Sequence, residues 1–116
     1  MIRNCKDFDV KLAENMRGGE GTVTISNFVT AEELNNKGRL FGKILLKPGC
    51  SIGFHTHENE SELFYILKGT AVYDDNGTKT TVCAGDVTLT PAGTGHGIKN
   101  ESSDDVELIA LIIYAN

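Results

Sequence analysis

The sequence predicts an all-β chain of short antiparallel strands, closed into a barrel or packed as a sandwich, and three observations carry that prediction. From Arg39 onward, runs rich in β-branched, aromatic and aliphatic residues follow one another: RLFGKILL, SIGFHTH, ELFYILK, TAVYD, KTTVC, DVTLT, GHGIK and VELIALIIY. Gly, Pro, Asn and Asp separate them, and the 13 glycines are spread among the runs rather than massed in a linker. No stretch of helix length carries a 3.6-residue apolar period. Many short strands at regular spacing fit an antiparallel sandwich or barrel, of which the jelly roll is the eight-stranded version.

Taken in chain order, residues 1–21 are polar and mixed, end in RGGEG, and read as a loop leading into the first strand. TVTISNFVT then alternates Val23 and Ile25 with Thr22 and Thr24, as a half-buried strand does. Thr30 and Glu33 have the spacing of a capping box, although AEELNN has room for a short helix at most. Asp75-Asn76-Gly77-Thr78 predicts a two-residue type I′ hairpin, because Asn and Gly tolerate positive φ; that register sets Asp74 opposite Lys79. At 116 residues and 40% hydrophobic content the chain suits one domain with one core, the barrel proper spanning 39–115.

The formal charge of -5 opposes a nucleic-acid partner, since phosphate binding needs clustered Lys and Arg. No apolar run reaches the ~18 residues of a membrane span, and the first residues lack the apolar stretch of a secretory leader, so a soluble cytoplasmic protein is expected. Cys5, Cys50 and Cys83 are odd in number and far apart, which predicts reduced, mostly buried thiols rather than disulfides.

The chemistry concentrates on the histidines. His55-Thr56-His57 places two imidazoles on one face of a strand, because side chains at i and i+2 share a side. Glu62 begins the next strand, within reach across the ENES segment, and His96 supplies a fourth donor from a distant strand. Three imidazoles and a carboxylate form a mixed N/O set suited to one divalent Mn, Fe, Co, Ni, Cu or Zn ion per chain. By parity with Glu62, Phe64 and Ile66 face inward, and by parity with His96 so does Ile98; Arg39, Lys43 and Tyr73 are the polar candidates for a substrate pocket.

Spacing strengthens the histidine signal. In GCSIGFHTHENESELFYILKG, five residues separate Gly49 from His55, one separates His55 from His57, four lead to Glu62 and six to Gly69. In GDVTLTPAGTGHGIKN, five separate Gly85 from Pro91, one leads to Gly93, two to His96 and three to Asn100. The framework glycines mark strand ends, Pro91 suits an edge or bulge, and Asn100 suits a turn closure. With both motifs complete, the chain resembles the cupin superfamily, specifically its small single-domain members. The resemblance implies a double-stranded antiparallel β-helix, or jelly-roll barrel, with His55, His57, Glu62 and His96 as metal ligands. It further implies a small-molecule ligand or substrate. Small cupins of this form are described as oxalate-decarboxylase-like, which points to a short carboxylate or oxoacid; dioxygenase chemistry and sugar isomerisation fit the same ligands, and a binding module without turnover is the alternative. Proton delivery in a decarboxylase requires a further acid, and Glu20 in the glycine loop is the candidate.

Two strands are apolar on both faces. In VELIALIIY, Val106, Leu108, Ala110, Ile112 and Tyr114 alternate with Ile109, Leu111 and Ile113, while Leu63, Tyr65 and Leu67 back onto Glu62, Phe64 and Ile66. A barrel has one interior, so the second set predicts a homodimer through the outer face, unless the segment around Val23, Ile25 and Phe28 covers it.

Overall fold

The strands follow the sequence pattern closely in the computed structural model, which describes all 116 residues. They are β1 (Asp9–Glu14), β2 (Thr22–Asn27), β3 (Gly38–Leu46), β4 (Ser51–Thr56), β5 (Glu60–Lys68), β6 (Thr70–Asp75), β7 (Thr78–Cys83), β8 (Val87–Thr90), β9 (Gly95–Lys99) and β10 (Val106–Tyr114). Two antiparallel sheets face each other, one ordered β1-β2-β3-β10-β5-β8 and the other β4-β9-β6-β7. This is the double-stranded β-helix expected of the chain, with strands from distant parts of the sequence interleaved between the layers.

Strand β10 is the spine of the larger sheet, bonded to β3 on one side and β5 on the other. Val106, Leu108, Ala110 and Ile112 point inward and are buried, the first three in one core with Ile44 and Leu46 of β3, Phe64 and Ile66 of β5, and Ile52, Tyr73 and Ile98 from the facing sheet. The inward parity predicted for Phe64, Ile66 and Ile98 therefore holds, at 2%, 0% and 3% exposure. Burying a large aliphatic or aromatic side chain contributes roughly 1.5–3 kcal/mol, so this shared core is the main source of stability.

Turn chemistry connects the strands. Asn76 and Gly77 have φ of 50° and 104°, as the I′ hairpin between β6 and β7 requires, and Asp74 lies opposite Lys79. The Asp74 carboxylate accepts the Gly77 N–H at 2.8 Å, so it stabilises the turn. Between β9 and β10, Asn100 is fully buried and closes the connection from inside. Its amide donates to the carbonyls of Leu46 (2.8 Å) and Asp104 (2.7 Å), and its carbonyl accepts the N–H and hydroxyl of Ser102 (2.9 and 2.7 Å).

Three sequence expectations are corrected. The head of the chain, 1–21, is not simply a loop: β1 pairs with β2 from Asp9↔Asn27 to Glu14↔Thr22. Its apolar Val10 and Leu12 are exposed at 53% and 70%, so no burial pattern announces it, and ladder hydrogen bonds at the sheet edge hold it. Residues 31–36 form turns rather than a short helix. The capping box itself is present, Glu33 accepting the Thr30 N–H at 2.9 Å and Thr30 Oγ1 accepting the Glu33 N–H at 3.1 Å, but Asn35 and Asn36 at φ 57° and 55° end the turn at once. The thiols are free as expected, yet Cys5 and Cys83 are exposed and Cys50 half-buried, because Cys5 sits in a surface 3₁₀ turn and Cys83 ends the edge strand β7.

The N-terminal segment covers the outer face only in part. Phe28 packs edge-on against Phe41 and tilts against Phe8, both at 5.1 Å between ring centres. Tyr65, Leu67, Val87, Leu89 and Ile113 stay exposed on the same sheet.

Replacing Asn100 with Ala strands the buried Leu46 carbonyl and unties the β9–β10 connection, so stability should fall by about 3 kcal/mol. Urea denaturation checks this, and a midpoint unchanged from wild type would contradict it.

Candidate metal centre

The site lies where β4, β5 and β9 converge. Between Ile52 and His55, β4 carries one residue more than its partner β9, so Ile52 faces Ile98 and His55 faces His96 across the bulge. Such a bulge turns the bulged strand and re-aims its side chains. Gly53 lies in it, and an added Cβ there would meet the Arg17 carbonyl at 2.1 Å, so only glycine lets the two backbones approach this closely. His57 follows just beyond β4, its N–H donating to Thr94 O (3.0 Å) and its carbonyl accepting the Gly93 N–H (2.7 Å). Glu62 projects inward from β5, opposite Thr90 of β8 and Ile112 of β10.

Each imidazole is anchored through Nδ1. His55 Nδ1 donates to the Gly53 carbonyl at 2.8 Å and His57 Nδ1 to the Glu60 carboxylate at 2.6 Å. A carbonyl and an ionised carboxylate can only accept, so both Nδ1 atoms carry the proton and both Nε2 atoms present a lone pair in the neutral ring. Tyr73 Oη lies 2.7 Å from His96 Nδ1 and 2.9 Å from Thr90 Oγ1, which lets His96 donate to Tyr73 and Tyr73 to Thr90. All three Nε2 atoms then aim at one point. They lie 3.1 Å apart from His55 to His57 and 3.1 Å from His57 to His96, with Glu62 Oε1 at 2.9 Å from His57 and 2.8 Å from His96.

Lone pairs at such separations need a proton or a cation among them. The four donors lie within 4.8 Å of one another and form a group that can hold a metal ion. An ion bonded at about 2.0–2.2 Å has neighbouring donors about 2.8–3.1 Å apart at right angles and about 3.3–3.6 Å apart at the tetrahedral angle. Four of the edges, 2.8, 2.9, 3.1 and 3.1 Å, fall in the right-angled range, and the whole group lies within 4.8 Å.

Charge is arranged around the group in layers. Arg39 grips Glu60 with two hydrogen bonds of 2.8 Å, and this, helped by His57, holds the Glu60 carboxyl at about 2. Burial opposes ionisation of Glu62, but hydrogen bonds to His57 and His96 more than compensate and lower its pKa. Hydrogen bonding to Glu62 raises the pKa of His57; burial lowers that of His55, aided by the neighbouring imidazoles and the Arg17 charge.

A cavity of 220 Å³ opens onto His55, His57 and Glu62. Leu40, Ile44, Ile52 and Ile112 form its apolar wall, and Arg39 stands at its edge as the polar candidate that does reach it. The other pocket candidates lie elsewhere. Phe64, Ile66 and Ile98 belong to the closed core, Phe64 stacking on the His96 ring at 5.0 Å. Tyr73 acts behind His96 and does not line the cavity. Lys43 points out of the barrel and pairs with Glu107 at 3.0 Å, because strand parity puts it on the face opposite Ile44. Glu20 is likewise turned outward, 69% exposed and paired with Lys99 at 3.1 Å.

Several residues at the site were not singled out in the sequence. Glu60 shares the strand face of Glu62 by parity, a signal that was available. Lys11, Met16, Arg17, Ile25 and Asn27 reach the cavity only because β1, β2 and their connecting loop fold across its mouth, and no local pattern announces that.

Known proteins agree with this architecture. The Cupin domain family matches residues 42–114. The oxalate-binding protein of Thermotoga maritima is 41% identical over 113 residues, covering 97% of this chain and 93% of that protein. A crystal structure described as a predicted oxalate decarboxylase from Thermotoga maritima superposes with a TM-score of 0.94 at 40% identity, covering 98% of this chain and 99% of the other. A Cupin 2 conserved barrel domain protein from Salinispora arenicola shares the fold alone, with a TM-score of 0.76 at 23% identity over 99% of this chain and 89% of its own.

In the metal-free protein, imidazole NMR should show His57 titrating above the ordinary 6.5 and His55 below it. The signs follow for stability: the His57 contribution is present below 6.5 and lost as pH rises through its raised value, whereas His55 withdraws stability as pH falls through 6.5. A His57 midpoint at or below that of His55 would contradict the arrangement.

Proposed function

The chain belongs to the cupin family, and from that premise we propose that it holds one divalent metal ion at His55, His57, Glu62 and His96 and uses it to bind a short carboxylate such as oxalate. A metal ion bound there supplies a Lewis acid for an anionic oxygen. The mixed N/O donors suit Mn, Fe, Co, Ni, Cu or Zn, among which availability decides as much as affinity. The protein's own part is to prepare the donors and the cavity. Gly53, Glu60 and Tyr73 hold the three rings in orientation, since a ligating imidazole keeps its direction only if its other nitrogen is bonded.

The observation that carries the carboxylate reading is the charge of the cavity. On a chain of net charge -5, the residues lining it include Lys11 and Arg17, neither paired with a carboxylate, and Arg39, which is paired with Glu60, against Glu62 alone. A small anion is thereby favoured over a neutral sugar, and the cavity's 220 Å³ and apolar wall suit a compact ligand. The relative named as an oxalate-binding protein supports the same class.

Binding without turnover is favoured over decarboxylation. Conversion of oxalate to formate and carbon dioxide places a proton on the carbon that loses its carboxylate. Glu62 is the cavity's one carboxylate and belongs to the metal group; Glu60 is locked between Arg39 and His57, and Glu20 faces the solvent. Metal-loaded protein should therefore bind oxalate in calorimetry and release no formate, while His57→Ala should lose at least about nine-tenths of its metal and, with it, the oxalate heat. Metal-dependent formate production would establish the decarboxylase instead. Full metal occupancy in His57→Ala would remove the site.

We further propose that a second copy of the chain covers the exposed face of β5 and β8. Leu63 stands opposite Leu89 and Tyr65 opposite Val87, and Tyr65, Val87 and Leu89 are exposed at 44%, 62% and 55%. Contiguous apolar surface of this kind is most often buried by twofold pairing. Sedimentation at micromolar concentration should give a dimer that Leu89→Glu dissociates with metal content intact; a wild-type monomer would exclude it.

A further inference from the structure

Of the three arginines, Arg3 grips Glu33 and Arg39 grips Glu60, each through two hydrogen bonds. Arg17 alone has no carboxylate partner and makes no side-chain hydrogen bond to the protein; it is exposed to solvent, is one of the residues lining the cavity with His55, His57 and Glu62, and its charge is felt by His55. An arginine that faces a small cavity with its fork of donors unused is arranged to receive a planar anion.

Its backbone is held for that task. Arg17 adopts φ 55° and ψ 32°, the left-handed region that L-residues enter rarely and that persists only where the surroundings impose it. The surroundings here are the metal-bearing strand itself. Glu20 N–H donates to Ser51 Oγ at 2.8 Å, and Ser51 N–H returns a bond to the Glu20 carbonyl at 2.8 Å. Gly19 lies so close to β4 that an added Cβ would stand 2.3 Å from the Ser51 carbonyl, and Gly53 is equally close to the Arg17 carbonyl. The loop between β1 and β2 and the bulge that aims His55 are therefore interlocked, backbone against backbone. The backbone of Arg17 is thereby fixed relative to the metal group even though 37 residues of chain lie between it and His55.

We infer that Arg17 is the specificity-determining residue of the cavity: its guanidinium receives the far carboxylate of a short dicarboxylate whose near carboxylate meets the metal group at His55, His57, Glu62 and His96. This rests on the carboxylate-binding function proposed above and adds the selection of two carboxylates over one. Lys11 adds positive charge at the same mouth but lacks the planar fork, and the charge of Arg39 is already taken by Glu60.

Calorimetry on metal-loaded protein with oxalate and with acetate tests the assignment. Arg17→Asn is the informative variant, because Asn tolerates the left-handed region; Arg17→Gly carries no steric penalty there and serves if the Asn protein does not fold. At equal metal content, either variant should bind oxalate at least about tenfold more weakly while acetate affinity changes less than about twofold, and Arg17→Lys should fall between on oxalate. Oxalate affinity within twofold of wild type in the Asn or Gly protein overturns the role of Arg17 and leaves the carboxylate site standing. An equal loss for acetate and oxalate overturns the selectivity for dicarboxylates. A wild-type protein that holds its metal but binds no oxalate overturns both the role of Arg17 and the carboxylate-binding function.

Discussion

Three imidazole nitrogens and a carboxylate oxygen gather within 4.8 Å of one another, four of their separations being 2.8 to 3.1 Å, and the fold is arranged to keep them there. Outward-facing Nδ1 protons make this possible. Each is tied to a different kind of acceptor: a backbone carbonyl for His55, a carboxylate for His57 and a buried phenol for His96. Free rotation of any ring would move its Nε2 lone pair away from the others. Burial sharpens the demand, since His57, His96 and Glu62 are 2%, 1% and 4% exposed and little water can substitute for a missing partner.

That arrangement needs donors from two sheets, and the barrel exists in the form that brings them together. Glu62 comes from the larger sheet, His55 and His96 from facing positions in the smaller one, and His57 from just beyond its edge. The inward alternation of β5 places Glu62, Phe64 and Ile66 in sequence from site to core, so the same strand carries chemistry at one end and packing at the other. Phe64 then supports the His96 ring from below, linking the core directly to the donor set. Onto this frame the β1–β2 hairpin adds the mouth of the cavity and most of its positive charge.

Much of the barrel and the whole donor set were legible in the sequence because both depend on local rules. Period-two alternation identified the strands from β3 to β10, Asn76-Gly77 fixed a hairpin register, and the motif spacing singled out His55, His57, Glu62 and His96. What was not legible depends on contacts between distant segments. Strand β1 does carry a short alternation of Val10 and Leu12 with Asp9 and Lys11, but it lies in an otherwise polar, mixed segment and leaves its apolar side chains exposed, so pairing with β2 rather than burial defines it. Arg17 and Lys11 come to the cavity through that same pairing. Parity could have placed Lys43 outside the barrel once Ile44 was assigned to the core, and Glu60 beside Glu62; Tyr73 needed the facing of β6 toward His96, which no spacing shows.

The central claim is that three imidazoles and one carboxylate of this chain bind a single divalent ion, and X-ray absorption at the metal edge addresses it most directly. Protein stripped of metal and reloaded with one equivalent of Ni(II) should show a first shell of N and O donors only, with the outer-shell multiple scattering of three imidazole rings. A first shell containing sulfur, or a spectrum without imidazole scattering, would contradict the account.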